Sequence, residues 1–203
     1  AIEATAAISE DGGTVLVCAY DGALHALSLR EGGRELWRVE TAAELKGAPV
    51  VYSPPRRHAG DAPTSDDDDD EEVYSGTAFF GSHDKALRCV FVGPWDKKGD
   101  PKRDRTEGQG RRIPGKVWWK VDLDGALYAS PALAYVPPAL ATPPEEAAVR
   151  LPFDLLLAAT TAGSVYAFEL ESPAPALEQG AALEHVLPPR IRWRHRAGAP
   201  VFA

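Results

Sequence analysis

Short apolar runs punctuated by glycine turns recur along the chain, and one pattern is written three times. The clearest copy begins over residues 15–19, a β-branched-rich run that suits a strand buried on both faces. Asp21-Gly22 follows, and Asp-Gly between two such runs predicts a tight type I′ hairpin, which needs positive φ. From Ala23 to Leu27 bulky and smaller side chains alternate, as on a strand with unequal faces. Gly32-Gly33 predicts a second turn, and residues 35–39 predict a strand carrying Trp37. Residues 2–9 predict a strand ahead of these, closed by a turn over 10–13. Residues 41–46 predict a short connection with some helical character, and Gly47-Ala48-Pro49-Val50 opens the next copy.

The second copy runs from Ala78 through Gly81, Ser82, Asp84 and Val90, resumes at Gly115 with Trp118-Trp119, and ends at Ser130-Pro131. The third runs from Leu155 through Gly163 to Phe168, resumes at Arg190 with Trp193, and closes at Ala199-Pro200-Val201. One copy is a meander of short antiparallel strands, close to one propeller blade. A bare blade takes only ~40 residues, so copies two and three carry insertions. The predicted fold class is all-β, a partial β-propeller of about three to four four-stranded antiparallel blades. It forms a single domain: repeat 1 over about 2–46, repeat 2 over 47–125, repeat 3 over 126–198, and the start of a further blade at 199–203. Loop insertions are placed at 53–75, 93–114, 136–152 and 172–189.

The shared signature is Asp21, Gly22, Gly33 and Trp37 in the first copy, and Gly81, Ser82, Asp84, Gly115, Trp119, Ser130 and Pro131 in the second. Gly163 and Trp193 represent it in the third. This signature resembles the pyrroloquinoline-quinone (PQQ) type propeller repeat, as found in quinoproteins, across all three copies but not the insertions. It departs at Asp84-Lys85, where Asp-Gly is expected, and at Pro189, where a Gly is expected before Trp193. A narrower likeness runs through residues 79–84, 121–131 and 155–159 with Gly163 and Val165. It resembles the C-terminal propeller of the beta-alanine-activating enzymes (aminoadipate-semialdehyde dehydrogenases) within the acyl-CoA synthetase family. The resemblance implies a parent chain with an adenylation domain, a carrier domain and a larger propeller of seven to eight blades. Three blades do not close, because each buries its faces only against two neighbours. A three-blade piece is therefore expected to expose two apolar faces prone to association.

Composition adds exclusions. A formal charge of −8 argues against a nucleic-acid-binding surface. No apolar run approaches the ~20 residues that span a membrane. Cys18 and Cys89 lie on strands of different copies and read as buried small hydrophobes, and two cysteines cannot build a four-ligand zinc site. The carboxylate run over 66–72 reads as a solvated acidic loop. Asp61 and Glu72 bracket twelve residues, but Pro63 and Asp66 break the EF-hand pattern. The basic insertion with Lys97, Lys98, Arg111 and Arg112 reads as a second solvated loop. Residues 174–187 predict one or two helical turns. Trp37, Trp119 and Trp193 are expected to fill gaps between blades. His25, His58, His83, His185 and His195 show no ligand spacing, and His83 reads as a turn residue beside Asp84.

No nucleophile-base-orienter set can be assembled, so no catalytic, cofactor-binding or metal residue is expected here. The expected function is a non-catalytic binding and scaffold module of an ATP-dependent acid-activating enzyme, located in the cytoplasm. Its expected partners are the remaining blades and the upstream adenylation and carrier domains, with further protein partners and neither nucleic acid nor membrane. The alternative is a segment of a PQQ-dependent quinoprotein dehydrogenase. Enzymes of that type hold PQQ and Ca²⁺ with Asn and Glu ligands, an Asp base and often adjacent cysteines. This chain has no Asn and no adjacent cysteines, which disfavours PQQ and calcium. A secreted or envelope scaffold is the third reading.

Overall fold

The computed structural model describes residues 1–52, 74–95, 114–136, 153–170 and 188–201. Their twelve strands form three four-stranded antiparallel sheets, each joined in sequence order. The first holds β1 (Ala7–Ile8), β2 (Thr14–Cys18), β3 (Ala23–Ser28) and β4 (Glu35–Glu40). The second holds β5 (Val50–Tyr52), β6 (Tyr74–Gly81), β7 (Ala86–Trp95) and β8 (Val117–Asp122). The third holds β9 (Ala132–Val136), β10 (Phe153–Ala159), β11 (Ser164–Leu170) and β12 (Ile191–Arg196). The sheets pack side by side with their first strands nearest one another. That is the arrangement of propeller blades, so the fold is an all-β partial β-propeller of three blades.

The register shows how closely the copies repeat. Ala26 pairs with Trp37, Cys89 with Trp119 and Ala167 with Trp193. The next pairs are Leu27 with Glu35, Val90 with Val117 and Phe168 with Ile191. Each last strand thus carries one extra residue at the same place, Leu36, Trp118 or Arg192. Such a bulge raises the local twist and bends the outer edge of the blade.

The hairpin between the second and third strands differs from the predicted type I′ turn. Gly22, Lys85 and Gly163 occupy one equivalent position with φ of 84°, 70° and 80°. Asp21 and Asp84 do not share positive φ, as a type I′ turn would demand. The amides of Gly22, Lys85 and Gly163 donate to the carbonyls of Ala19, Ser82 and Thr160 at 3.2, 3.1 and 3.0 Å. These are three-residue loops with one left-handed residue at the end. The Asp carboxylates cap them, accepting from the amides of Ala23 and Ala86 at 3.0 and 3.1 Å.

Residues 41–46 carry no helix; they form an extended strap. The strap recurs. Thr41, Leu123 and Ala197 donate to Gly22, Lys85 and Gly163 at 2.8, 2.8 and 2.7 Å. Leu45 and Leu127 donate to Ala19 and Ser82, both at 3.2 Å. The strap then reaches the following blade: His83 donates to Glu44 at 3.0 Å and Thr161 to Ala126 at 2.8 Å. Backbone pairing with a turn on either side outweighs any local helical preference. Gly47 lets two straps close up, since a Cβ there would sit 2.8 Å from the carbonyl oxygen of Ala129.

Two apolar clusters lie between the blades. The first joins Leu16, Leu24 and Leu45 of the first repeat to Phe80, Val90 and Val92 of the second. The second joins Phe79, Leu87 and Leu127 to Leu156, Phe168 and Leu170 of the third. Cys18 and Cys89 are buried free thiols within these clusters, and burial pushes the Cys18 thiol up to about 12. The predicted helix over 174–187 and the acidic and basic loops, with the Asp61–Glu72 span, lie outside the described residues, apart from short strand extensions such as Tyr74, Gly93 and Trp95.

Candidate binding face

In a four-stranded meander the turn after the second strand and the exit from the fourth lie at the same end of the sheet. That end of all three blades is therefore lined by turns and straps. Tyr20, His83 and Thr161 hold one equivalent turn position, just before the capping position. Their amides take the carbonyls of Ala1, Glu44 and Ala126. Glu3, Lys46 and Tyr128 lie two residues beyond those carbonyls and hold the equivalent strap position.

These positions meet in one continuous row. The Tyr20 hydroxyl donates to Glu3 in a short bond. The Lys46 ammonium sits 5.0 Å from the Tyr20 ring centroid and 4.9 Å from that of Tyr128. A cation held over two aromatic faces is favourable electrostatically. The Tyr128 ring in turn lies 5.2 Å from the imidazole of His83. Glu44 approaches Lys46 at 3.3 Å. Burial alone would push the Lys46 pKa down, but Glu44 and Tyr128 outweigh it and hold the ammonium charged. His83 moves the other way: burial, then the Lys46 charge, lowers its pKa. Its Nε2 is buried without a hydrogen-bond partner. The row presents aromatic area, one fixed cation and one neutral imidazole, a composition typical of recognition surfaces.

Beside this row, a carboxylate clasp ties each hairpin. Asp21 and Glu35 flank His25, at 2.9 Å from Nε2 and 2.7 Å from Nδ1. Asp84 pairs with Arg88, whose side chain is buried, and also accepts the amide of Ala42 at 3.3 Å. In the third blade the acid moves to the strap. Asp124 accepts from Thr160 at 2.9 Å and Ser164 at 2.6 Å, and pairs with Arg194. Burial alone would raise the pKa of Asp124, but these donors outweigh it and hold it low.

The signature residues all have structural placements. Asp21 and Asp84 cap turns, Gly33 makes the turn before β4 with φ of 87°, and Gly115 does so before β8 with φ of 80°. Gly81 lies against Leu127, and Ser82 bonds Thr41 and the carbonyl of Ala43. Ser130 accepts the amide of Ala48 at 2.8 Å, and Pro131 is buried beside it. Trp37 packs in the first seam, against Gly115, and Trp119 in the second. Trp193 differs, standing 43% exposed because no sheet among the described residues covers its side. Sequence reasoning singled out His83 but missed Tyr20, Lys46 and Tyr128. Aligning the copies on their turns and straps would have placed all four in two columns.

The side chains here can bind and orient; among the described residues no Ser-His-Asp relay is assembled. The Ser164 hydroxyl is tied to Asp124 and Arg194, with no imidazole among its partners. Among the described residues no three His, Cys, Asp or Glu side chains converge to hold a metal.

The sheets, bulges and straps thus define a partial β-propeller. No protein family matches the chain, and no curated protein does. Among solved structures it is similar to BamB from Moraxella catarrhalis, with a TM-score of 0.41 and 15% identity over 96% of this chain. The chain spans 37% of that protein's length, and the fold assignment stands on the three sheets themselves.

Proposed function

We propose that this chain is a non-catalytic propeller module that binds and positions protein partners through its turn-and-strap face. The observation that carries this is the row of Glu3, Tyr20, Lys46, Tyr128 and His83, contributed by successive units and held by repeated backbone bonds. Aromatic side chains and a fixed cation supply contact area at low entropic cost. We further propose that the module serves a cytoplasmic, acid-activating enzyme with adenylation and carrier domains. Support comes from the stretches 79–84, 121–131 and 155–159, which resemble the C-terminal propeller of such enzymes.

Two experiments test this reading. The open reading frame upstream of Ala1 should encode an adenylation domain and a carrier serine; a secretory signal peptide there would overturn the enzyme context. Titration of the chain with PQQ and Ca²⁺, followed by fluorescence of its tryptophans, should give no saturable change. Saturable binding at micromolar PQQ would replace the scaffold reading with a quinoprotein one.

A further inference from the structure

The surroundings of the Lys46 ammonium stand out from the rest of the turn-and-strap face. The strand ends that lead into the long insertions, between the first and second or third and fourth strands, lie at the opposite end of the sheets. The face itself is built alike in each unit, and only its side chains differ. Around Lys46 these favour positive charge. Tyr20 and Tyr128 turn ring faces to the ammonium at 5.0 and 4.9 Å, and Glu44 stands at 3.3 Å. The Tyr20 hydroxyl donates to Glu3, which enriches the ring and strengthens its hold on a cation. His83, against Tyr128, is kept neutral by burial and by the Lys46 charge, so it adds no repulsion. Two aromatic faces and a carboxylate make an ammonium cage. Its walls stand on bonded backbone: the His83 amide donates to Glu44 at 3.0 Å, and Leu45 and Leu127 donate to Ala19 and Ser82 at 3.2 Å. Its occupant is less constrained, because Lys46 carries its charge on a flexible four-carbon stem and its side chain is 18% exposed.

We infer that this cage recognises a lysine side chain of a protein partner, whose ammonium takes the place of that of Lys46. The inference rests on the scaffold reading of this face and names the chemistry its partner presents. The present occupant shows that a primary ammonium fits, and Glu44 offers it a carboxylate acceptor. Charge favours a basic segment. Glu3, Asp21 and Glu44 lie along the row and its first turn, against Lys85 on the second turn. Arg88 and Arg194 are already committed to Asp84 and Asp124. Complementary charge steers encounter and fixes register. Lys46 acts as a tethered competitor, and tethering gives it an effective concentration of about millimolar or above. A free amine therefore displaces it poorly; a partner that makes further contacts along the face displaces it readily.

Nuclear magnetic resonance of the 203-residue chain, with n-butylammonium as the probe and butyrate as the anionic control, tests the inference. Lys46→Ala empties the cage and leaves its walls. Circular dichroism checks that the sheets persist, and Lys46→Gln serves if they do not. The vacated cage should bind n-butylammonium about tenfold tighter or more than the wild type does, because the tethered competitor is gone. The shifts should centre on the rings of Tyr20 and Tyr128. Adding Tyr128→Ala should abolish the gain, whereas Tyr128→Phe, which keeps a ring face, should preserve it. A capped Ala-Lys-Ala peptide should bind the vacated cage, and Ala-Glu-Ala should not. Equal affinity in wild type and variant, shifts away from the two tyrosines, tighter binding of butyrate, or a lysine peptide that does not bind would overturn the inference. The scaffold reading is tested separately by the PQQ titration, so its failure and that of the cage are told apart.

Discussion

At the scale of single residues, the turn position shared by Gly22, Lys85 and Gly163 is the sharpest constraint. Lys85 adopts φ of 70° with a Cβ present, and left-handed backbone costs an ordinary side chain roughly 1–2 kcal/mol. Lys85→Gly should stabilise the chain by about 0.5–1 kcal/mol net, after the loss to the freer unfolded chain. A raised urea midpoint with unchanged slope would show it. His25 gives a pH dependence. Burial opposes its charge, but Glu35 and Asp21 outweigh burial and raise its pKa above the ordinary value. A raised folded pKa means the stabilisation is full below the unfolded value of ~6.5 and is lost as pH rises through the folded value. Denaturation midpoints should fall over that window, by a modest amount because both carboxylates are partly exposed. In His25→Gln the fall should shrink; an identical profile would remove His25 as its source.

At the scale of elements, the last strand of each blade tests whether the repeat or the environment decides energetics. Trp119 and Trp193 hold one register position, opposite Cys89 and Ala167. Trp119 is buried against Phe79, with ring centroids 5.6 Å apart, while Trp193 is 43% exposed. Trp119→Ala should cost about 3–5 kcal/mol and Trp193→Ala about 1 kcal/mol or less. Equal losses in chemical denaturation would show that seam burial is not what distinguishes them. The bulges were not legible in the sequence, because a one-residue register shift leaves the apolar pattern of Leu36-Trp37 and Trp118-Trp119 almost unchanged. The strap at 41–46 misled for a similar reason. Its local composition tolerates a helical turn, and only the neighbouring turns, absent from any local window, draw its amides into extended pairing.

At the scale of the whole molecule, the middle blade takes part in both seams among the described residues and each outer blade in one, so the middle blade is expected to be the most stable unit. Native-state hydrogen exchange should be slowest in β6 and β7 and faster in β1 and β12. Uniform protection across the three sheets would show instead a single cooperative unit. The sequence by itself determined the class of fold, the three units and the residues of the turns. Those features are written in short-range signals: apolar alternation, Asp-Gly pairs and one Trp per unit. Only the tertiary structure decided which equivalent residues are buried and which stand open. Trp119 and Trp193 share a motif, yet a neighbouring sheet covers one and not the other. Only the structure, too, brought Tyr20, Lys46, His83 and Tyr128 into one row. They come from different units far apart in the chain, and the packing of blade against blade sets their distances.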